Sequence, residues 1–483
     1  MSEQKFTKDI WVIGITNIII VLRSLILLPV ITKILGADSY GIWVQIIAML
    51  PLIALLTTLG LPYALVRFLA GEKNKRELRD GIFSVITIIS VIIFLILLVF
   101  FFFSPHISSF LKWPETIVKV LAFIIFFECI NFVFLHVFRA LQQINLYSFF
   151  IIFQSLGEIG LTVAAILFGY GLLGAVIALL IVRIICFLVI GAVVLKQIGF
   201  AFPMFSKTKE HLRFGLPTVP GNISNWFVGF SDRYLVGYFL GLVFVGYYAP
   251  ACTLGAVMGF LGAPFSFLLP AVVSKLHDEN KIEDVKRYLK YSLKYFLAIA
   301  IPAFFGLSIL AKKLLIILST PEISAHGYLL IPFVTLGMLL YGVYGVVYLI
   351  PILSKKTALM GNIWIAAAVL NLALNLILIP QFGIIAAAIN SMLSYTFILA
   401  VTWHYSLKYL RFDIDWRFIQ KSIFASALMS LFVFLVNPGT IIQILFVIVT
   451  AAVLYFVLLA LFKAFKKSEV IFFTSLFKRG RTV

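Results

Sequence analysis

The chain has 483 residues, of which 63% are hydrophobic and only 12% are charged, and its mean hydropathy is +1.13. Soluble domains are about half apolar and about a quarter charged, so this composition excludes a soluble protein and indicates one that crosses a membrane many times. The net charge of +19 would suit a nucleic-acid-binding protein, but the distribution of the basic residues argues against a nucleic-acid partner.

Hydropathy predicts fourteen membrane-spanning helices, each long enough to cross about 30 Å of hydrocarbon. The apolar stretches are continuous, whereas the strands of a membrane barrel would alternate over about ten residues. The predicted spans are 9–34, 40–66, 81–104, 117–138, 147–169, 172–195, 214–240, 245–273, 289–311, 325–351, 357–379, 383–404, 418–436 and 440–462. The expected fold class is therefore an all-α polytopic membrane protein.

The basic residues are divided unequally between the two sides of the membrane. With both termini placed inside, thirty of the 38 Lys and Arg residues lie on the inward side, five lie in outward loops and three lie within spans. This positive-inside bias predicts a protein of the cytoplasmic membrane with both termini cytoplasmic, and its surface cations are expected to contact anionic lipid. The first span lacks a cleavage site and is expected to stay as an uncleaved anchor.

Several kinds of site have no sequence signal. Cys129, Cys186 and Cys252 each lie in the middle of a span, so we expect small core residues rather than a disulfide or a metal site. There is no Gly-rich phosphate-binding motif and no stretch long enough for a soluble domain. We therefore predict no metal, no cofactor and no transport driven by ATP bound to this chain.

Weak internal similarity divides the chain into two halves. Three matches follow the same order: Leu35-Gly36 with Gly41 and Leu240-Gly241 with Gly246, Gly60 with Pro62 and Gly262 with Pro264, and Gly171 with Gly383. An offset of six spans keeps the copies parallel, which predicts two six-helix lobes related by an axis along the membrane normal. The predicted domains are an N-terminal lobe at 1–196, a C-terminal lobe at 197–404, and two further helices with a basic tail at 405–483.

Charged residues inside the spans are the candidate functional residues. They are Arg23, Glu128, Glu158, Arg183, Asp232 and Arg233. Each costs roughly 2.5–3.5 kcal/mol at the centre of a membrane helix, so such residues either pair with each other or face a water-filled path. Three cations and three anions allow an interpretation as interhelical ion pairs, and that alternative stays open beside a functional one, most evenly for Arg183.

Helical spacing brings further polar residues to the same faces. In the seventh span, Asn222 and Arg233 are eleven residues apart and share a face, and Asn225 and Asp232 share the neighbouring one. Polar stripes of this kind favour a central cavity. A separate stripe of Tyr341, Tyr344 and Tyr348 is more typical of packing than of a sugar-binding platform, although both interpretations are kept.

Three segments resemble one family of membrane proteins. They are Leu28-Pro-Val-Ile-Thr-Lys-Ile-Leu-Gly-Ala-Asp-Ser-Tyr-Gly-Ile-Trp43, Ser231-Asp-Arg-Tyr-Leu-Val-Gly-Tyr-Phe-Leu-Gly241 with Val245-Gly-Tyr-Tyr-Ala249, and Asn375-Leu-Ile-Leu-Ile-Pro-Gln-Phe-Gly383. Together with fourteen spans, they resemble the O-antigen and capsule flippases of the multidrug/oligosaccharidyl-lipid/polysaccharide (MOP) exporter superfamily. The resemblance implies a non-enzymatic exporter that moves a polyprenyl-diphosphate-linked oligosaccharide across the membrane by alternating access.

The resemblance also implies roles for particular residues. Arg23 and Arg233 match positions where the family places cavity cations, which would bind the diphosphate, while Asp232 would hold Arg233 when the site is empty. Asn222 and Asn225 are expected beside them. Glu158 and Glu128 do not map onto a family motif; they could bind a coupling H⁺ or Na⁺, or pair with the buried arginines. Glycosyltransferases or a glycan polymerase are possible partners.

Two other functions compete with this one. A drug/cation antiporter of the same superfamily would be expected to have a mainly acidic cavity and about twelve spans. A membrane scaffold for glycan-assembly enzymes would gain nothing from charged residues within its spans. The basic cavity residues and the two additional spans therefore favour the flippase.

Overall fold

The computed structural model describes residues 3–69, 74–465 and 469, and within these residues the chain forms helices joined by turns, without a strand. The basic tail predicted from the sequence lies mostly outside the described residues. The helices are α1 (Glu3–Thr58), α2 (Leu61–Leu69), α3 (Lys75–Phe102), α4 (Ser104–Leu111), α5 (Glu115–Ala140), α6 (Ile144–Leu167), α7 (Gly171–Ile198), α8 (Thr208–Gly215), α9 (Val219–Phe239), α10 (Leu242–Asp278), α11 (Ile282–Leu318), α12 (Pro321–Gly327), α13 (Ile331–Val347), α14 (Leu349–Leu353), α15 (Thr357–Phe382), α16 (Ile384–Tyr409), α17 (Trp416–Val436) and α18 (Ile441–Leu461).

Twelve helical stretches of the described chain are long and apolar enough to cross a membrane. One of them, Val12–Thr58, covers most of the first two predicted spans. The backbone at Gly36 (φ 84°, ψ 178°) breaks α1 between these two spans. The seventh predicted span falls on α9, whose polar residues leave it outside the twelve. The all-α, multi-pass prediction is confirmed, and the count of fourteen is approximate.

The helix contacts form two groups joined along α1, α9 and α10. In the first group α1, α3, α5, α6 and α7 pack on one another, and in the second α9, α10, α11, α13, α15 and α16 do so. Across the two groups, the indole nitrogen of Trp226 donates to the carbonyl of Ala48 at 2.7 Å, and the Gln45 amide donates to the carbonyl of Arg233 at 2.8 Å. The domain boundaries at 1–196, 197–404 and 405–483 stay predictions.

The last two helices attach to the second group through α11. Helix α17 packs along α11, and α18 packs on α17. The buried Lys294 ammonium of α11 lies 3.1 Å from Asp415 and 3.0 Å from Glu469. Many outer side chains of α17 and α18 are apolar and exposed, as expected for helices that face lipid.

Backbone contact between the groups is closest where two glycines face each other. A methyl group on Gly41 would overlap the carbonyl oxygen of Leu242, and one on Gly246 would overlap that of Ala37. Gly41 and Gly246 are related by the repeat offset of 205 residues, as are Ala37 and Leu242, so each copy of the motif packs against the other. Without a hydrophobic force between helices in lipid, such small-residue contacts allow the close van der Waals packing that holds them together.

Candidate functional site

Three adjoining cavities lie around α9, and Phe230 borders all of them. Two lie between the two groups of helices, and the remaining one, the aromatic cavity, lies within the second group. The cation cavity, about 240 Å³, is lined by Arg23, Glu158 and Arg233. The aromatic cavity, about 210 Å³, is lined by Arg233, Asp232 and several tyrosines. The third cavity, called the inner cavity, has a volume of about 340 Å³ and is lined by Glu128 and Asn222. Asn225 borders both the aromatic and the inner cavity.

Four of the six charged residues form one alternating chain through the first group of helices. Arg23 Nη1 lies 2.6 Å from Glu158 Oε2, Arg183 Nη1 contacts the other oxygen of Glu158, and Arg183 Nε contacts Glu128. The order along the chain is thus Arg, Glu, Arg, Glu, and its formal charge is zero. The predicted pairing alternative therefore describes these four residues.

The middle of this chain is buried and its two ends reach the cavities. The Glu158 and Arg183 side chains are 0% and 3% exposed, whereas those of Arg23 and Glu128 are 17% and 22% exposed. The Gln154 amide also donates to Glu158 at 3.2 Å, so the carboxylate has three donors. Breaking one member of a buried ion pair leaves an uncompensated charge, which makes Glu158 and Arg183 structurally important.

Arg233 differs from the other two buried arginines. Its guanidinium donates to the carbonyl of Gly229 at 3.2 Å, lies 4.8 Å from the centre of the Phe230 ring and contacts the Cys252 thiol. Within the described residues it has no ion pair, and its buried Nε has no hydrogen-bond partner. Arg233 therefore brings a guanidinium without an ion pair to the boundary between the cation and aromatic cavities.

Asp232 makes no ion pair with the Arg233 side chain among the described residues, and the expectation that it holds this side chain stays a prediction. The Asp232 carboxylate accepts from the Tyr248 hydroxyl, from the Ser391 hydroxyl at 3.2 Å and from the backbone nitrogen of Arg233 at 2.8 Å. Consecutive side chains on a helix point about 100° apart, so the two neighbours face different surroundings. Asp232 fastens α9 to α10 and α16.

Amide and hydroxyl side chains continue this polar packing into the second group of helices. Asn371 accepts from Ser231 at 3.3 Å and donates to Ser394 at 3.0 Å, while Asn375 donates to Asn371 and Asn390 donates to Asn375, each at 3.0 Å. These bonds join α9, α15 and α16, because buried amide side chains form hydrogen bonds between membrane helices.

Two further ring systems of the site have no counterpart in the sequence-based prediction. Trp364 and Tyr395 line the aromatic cavity together with Tyr341, whereas Tyr344 and Tyr348 of the predicted stripe do not line it. The available signal was helical spacing: Tyr395 lies one turn after Ser391, and Trp364 lies two turns before Asn371. Without knowing which face of each helix is inward, that spacing does not single them out.

The helix arrangement and the polar cavities define a polytopic membrane protein of transporter architecture. The structure of the lipid II flippase MurJ, in an inward closed conformation, matches with a TM-score of 0.75 and 17% identity, covering 94% of this chain and 98% of that one. An inward-facing multidrug resistance MATE family transporter of the MOP superfamily matches with a TM-score of 0.61 and 16% identity, covering 80% and 94%. At these identities the similarity establishes the fold.

Sequence comparison gives the family. The model of the family described as "Polysaccharide biosynthesis protein" matches residues 6–277, more than half of the chain, and the MatE model matches residues 217–377. The chain belongs to the polysaccharide biosynthesis protein family, within the MOP superfamily.

Two curated relatives come from Haloferax volcanii. "Probable low-salt glycan biosynthesis flippase Agl15" is 26% identical over 273 residues, which are 55% of this chain and 57% of that protein. "Probable flippase AglR" is 30% identical over 187 residues, which are 37% and 38%. The chain thus covers about half of the first relative and less of the second.

Proposed function

We propose that this protein is a flippase that moves a polyprenyl-diphosphate-linked oligosaccharide, such as a surface polysaccharide repeat unit, across the cytoplasmic membrane. Both termini lie in the cytoplasm. The two groups of helices rock about the central cavities so that the site opens to one side at a time, without enzymatic chemistry. The names of the glycan flippase relatives and the family match support a lipid-linked glycan as cargo.

The observation that supports this proposal is the Arg233 guanidinium, which lines the cation cavity without an ion pair among the described residues. A diphosphate linker carries at least two negative charges, and the planar guanidinium can bind such a group through two parallel hydrogen bonds. Arg23 lies on the same cavity, 17% exposed, and adds a second cation that Glu158 only partly neutralises. This electrostatic arrangement suits an anionic headgroup and disfavours a cationic drug.

Of the two acidic residues considered for ion coupling, Glu128 has the better position. It lies at the end of the ion-pair chain with its side chain 22% exposed, and it lines the inner cavity. A carboxylate that meets water in one state and not in the other can bind H⁺ or Na⁺ differently in the two states. Glu158 is occupied by two guanidinium groups and is assigned a structural role. Glycosyltransferases or a polymerase are proposed partners that supply or use the cargo.

The test is flipping of a fluorescent polyprenyl-diphosphate-N-acetylglucosamine in vesicles that contain the purified protein. We expect Arg233→Ala to reduce the rate at least about tenfold, because the loss of a charge-assisted hydrogen bond costs about 1.5–3 kcal/mol. Arg233→Lys should recover only part of the rate, since an ammonium does not form the planar two-bond contact.

The matched control is Arg411→Ala, which removes an exposed arginine outside the three cavities. It should flip at the wild-type rate. Wild-type flipping by a well-folded Arg233→Ala protein would overturn the site assignment. Uptake of a cationic dye with no flipping of the glycolipid by the wild type would instead favour the antiporter.

A further inference from the structure

The aromatic cavity holds a second kind of binding surface directly beside Arg233. Tyr341 of α13, Trp364 of α15 and Tyr395 of α16 come from three helices and converge on it. The rings of Tyr341 and Tyr395 are 5.2 Å apart at 45°, and that of Trp364 meets Tyr341 edge-on at 6.2 Å. Three converging rings form a continuous aromatic wall.

Small residues keep the space in front of this wall open. Gly337 lies against Tyr395, and a methyl group there would crowd the Tyr395 ring and the backbone of Met392. Gly229 lies on the α9 side, facing the Tyr395 hydroxyl. The resulting cavity has a volume of about 210 Å³ and lies directly beside Arg233.

Polar groups stand at the edges of the aromatic wall. The exposed Asn225 side chain hydrogen-bonds Tyr341 and borders the cavity, which Ser391 also lines. An amide can both donate to and accept from a sugar hydroxyl or an acetamido group. An apolar ring face flanked by a few hydrogen-bonding groups is the combination that binds the C–H face and the hydroxyl edge of a pyranose.

Charge further restricts the sugar. Asp232 lies in the wall of the same cavity, and its carboxylate is held by Tyr248 and Ser391 rather than by a cation. A second carboxylate on the sugar would be repelled there, whereas Arg233 lies on the side shared with the cation cavity. The surroundings therefore suit a neutral ring attached to an anionic linker.

We infer that the aromatic cavity is a subsite for the first, neutral sugar of the lipid-linked cargo, stacked on Tyr341 while Arg233 binds the adjoining diphosphate. This inference rests on the proposed function and adds specificity to it. The protein would distinguish a glycosylated carrier from the bare carrier lipid, so the returning empty lipid would compete weakly with the cargo.

The experiment compares two probes, polyprenyl diphosphate and polyprenyl-diphosphate-N-acetylglucosamine, for binding to the full chain in lipid nanodiscs. The wild type should bind the glycosylated probe at least about fivefold more tightly. Tyr341→Leu keeps apolar volume but removes the aromatic face, and should weaken the glycosylated probe about fivefold or more while leaving the bare probe unchanged. Tyr341→Phe keeps the ring and should retain most of the preference.

Tyr348→Leu is the matched control. Tyr348 belongs to the same tyrosine stripe and directly follows α13, but it does not line the cavity. It should bind both probes like the wild type. Equal affinity of the wild type for the two probes, or an equal loss for both in a monodisperse Tyr341→Leu protein, would overturn the subsite. Loss of both probes in Arg233→Ala with no effect of Tyr341→Leu would leave the proposed function standing without the subsite. Failure of the wild type to bind either probe would overturn the proposed function itself.

Discussion

Glu158 is the residue on which the charge balance of the first helix group depends. Its carboxylate contacts Arg23 and Arg183 at once, and its side chain is completely buried. In a region of low dielectric, two guanidinium groups so close together are tolerated because anions lie between and beside them. Removing this one negative charge leaves Arg183 paired with Glu128 and leaves Arg23 without an ion pair among the described residues.

We predict that Glu158→Gln lowers the stability of the protein in detergent by about 3–5 kcal/mol, the usual effect of breaking a buried ion pair. The Gln side chain keeps the shape and some hydrogen bonds, so the loss reports the charge. Thermal unfolding, monitored by size-exclusion chromatography, measures the effect.

The double variant Glu158→Gln with Arg183→Gln restores a formal charge of zero and should recover part of the lost stability. Gln154→Ala, which removes only the neutral donor of the set, should have a much smaller effect. A stable Glu158→Gln protein whose flipping no longer depends on the ion gradient would support a coupling role for Glu158 instead.

Individual residue types could be predicted from the sequence, but their partners could not. The cost of charge in hydrocarbon singled out Arg23, Glu158 and Arg233 as special residues. Which cation meets which anion depends on the rotation of each helix about its axis, and an error of one residue turns a side chain by about 100°. For this reason the sequence left Glu158 open between coupling and pairing, and it could not show which groups hold Asp232.

At the scale of helices, two crossings bring backbones into contact. The first joins Gly41 to the backbone of Leu242, and Gly246 to that of Ala37. The breaks at Gly36 (φ 84°) and Gly241 (φ 103°) come five residues before each of these glycines. A positive φ is readily adopted by glycine, so each chain can turn and then pack without a side chain in the way. Steric packing thus explains why the glycine motif occurs in both halves of the chain.

Gly246→Ala should destabilise the protein by about 1–3 kcal/mol, because the added methyl group forces two packed backbones apart. Thermal unfolding in detergent measures the change. Gly306→Ala in α11 is the control, since a methyl group there meets nothing within 4 Å and alanine favours a helix. Equal stability of the two variants would show that the crossing is not tightly packed.

The second crossing brings Gly60 against Gly215, where an added methyl group would overlap the facing backbone, and a buried histidine lies beside it. His211 of α8 stacks on Phe68 of α2 with ring centres 5.4 Å apart, and neither of its ring nitrogens has a hydrogen-bond partner among the described residues.

Burial lowers the pKa of His211 below its ordinary range, partly offset by Glu210 and Asp80, while Lys207 acts in the same direction as burial. His211, Asp80, Lys207 and Glu210 line one small cavity, and Glu77 lines it as well.

A lowered pKa means that the folded protein favours neutral His211. The stabilisation is present above the pKa of the unfolded chain, about 6.5, and is lost as the pH falls below that value towards the folded pKa. Thermal stability of the wild type should therefore fall more between pH 7 and pH 5 than that of His211→Gln. His326→Gln, at an exposed outward position, should keep the wild-type pH dependence. A parallel decline in His211→Gln would assign the acid sensitivity to other groups.

At the scale of the whole molecule, the sequence predicts more of the structure than it does at the candidate site. Apolar stretches about twenty residues long place each span, because a helix is the structure that satisfies its own backbone in lipid. The aromatic cavity could not be predicted in this way. Tyr341, Trp364 and Tyr395 come from three helices, and their convergence depends on packing between helices rather than on spacing within one.

The distribution of basic residues leads to a prediction about orientation that the helix arrangement alone does not test. Thiols introduced at Asp38 and Gly439, both exposed, should react with a membrane-impermeant maleimide added to intact cells, whereas those at Arg76 and Glu279 should react only after lysis. Gly439 is preferred over the adjacent Pro438, which is buried and whose carbonyl accepts from Lys313 at 2.7 Å. The expected labelling pattern follows from the positive-inside bias, which places thirty of the 38 basic residues on the cytoplasmic side.

A cysteine-free background, made by replacing the three native cysteines with alanine, gives the baseline signal. Reaction at Arg76 in intact cells would reverse the assigned orientation of the first helix group, and with it the side from which the cargo enters.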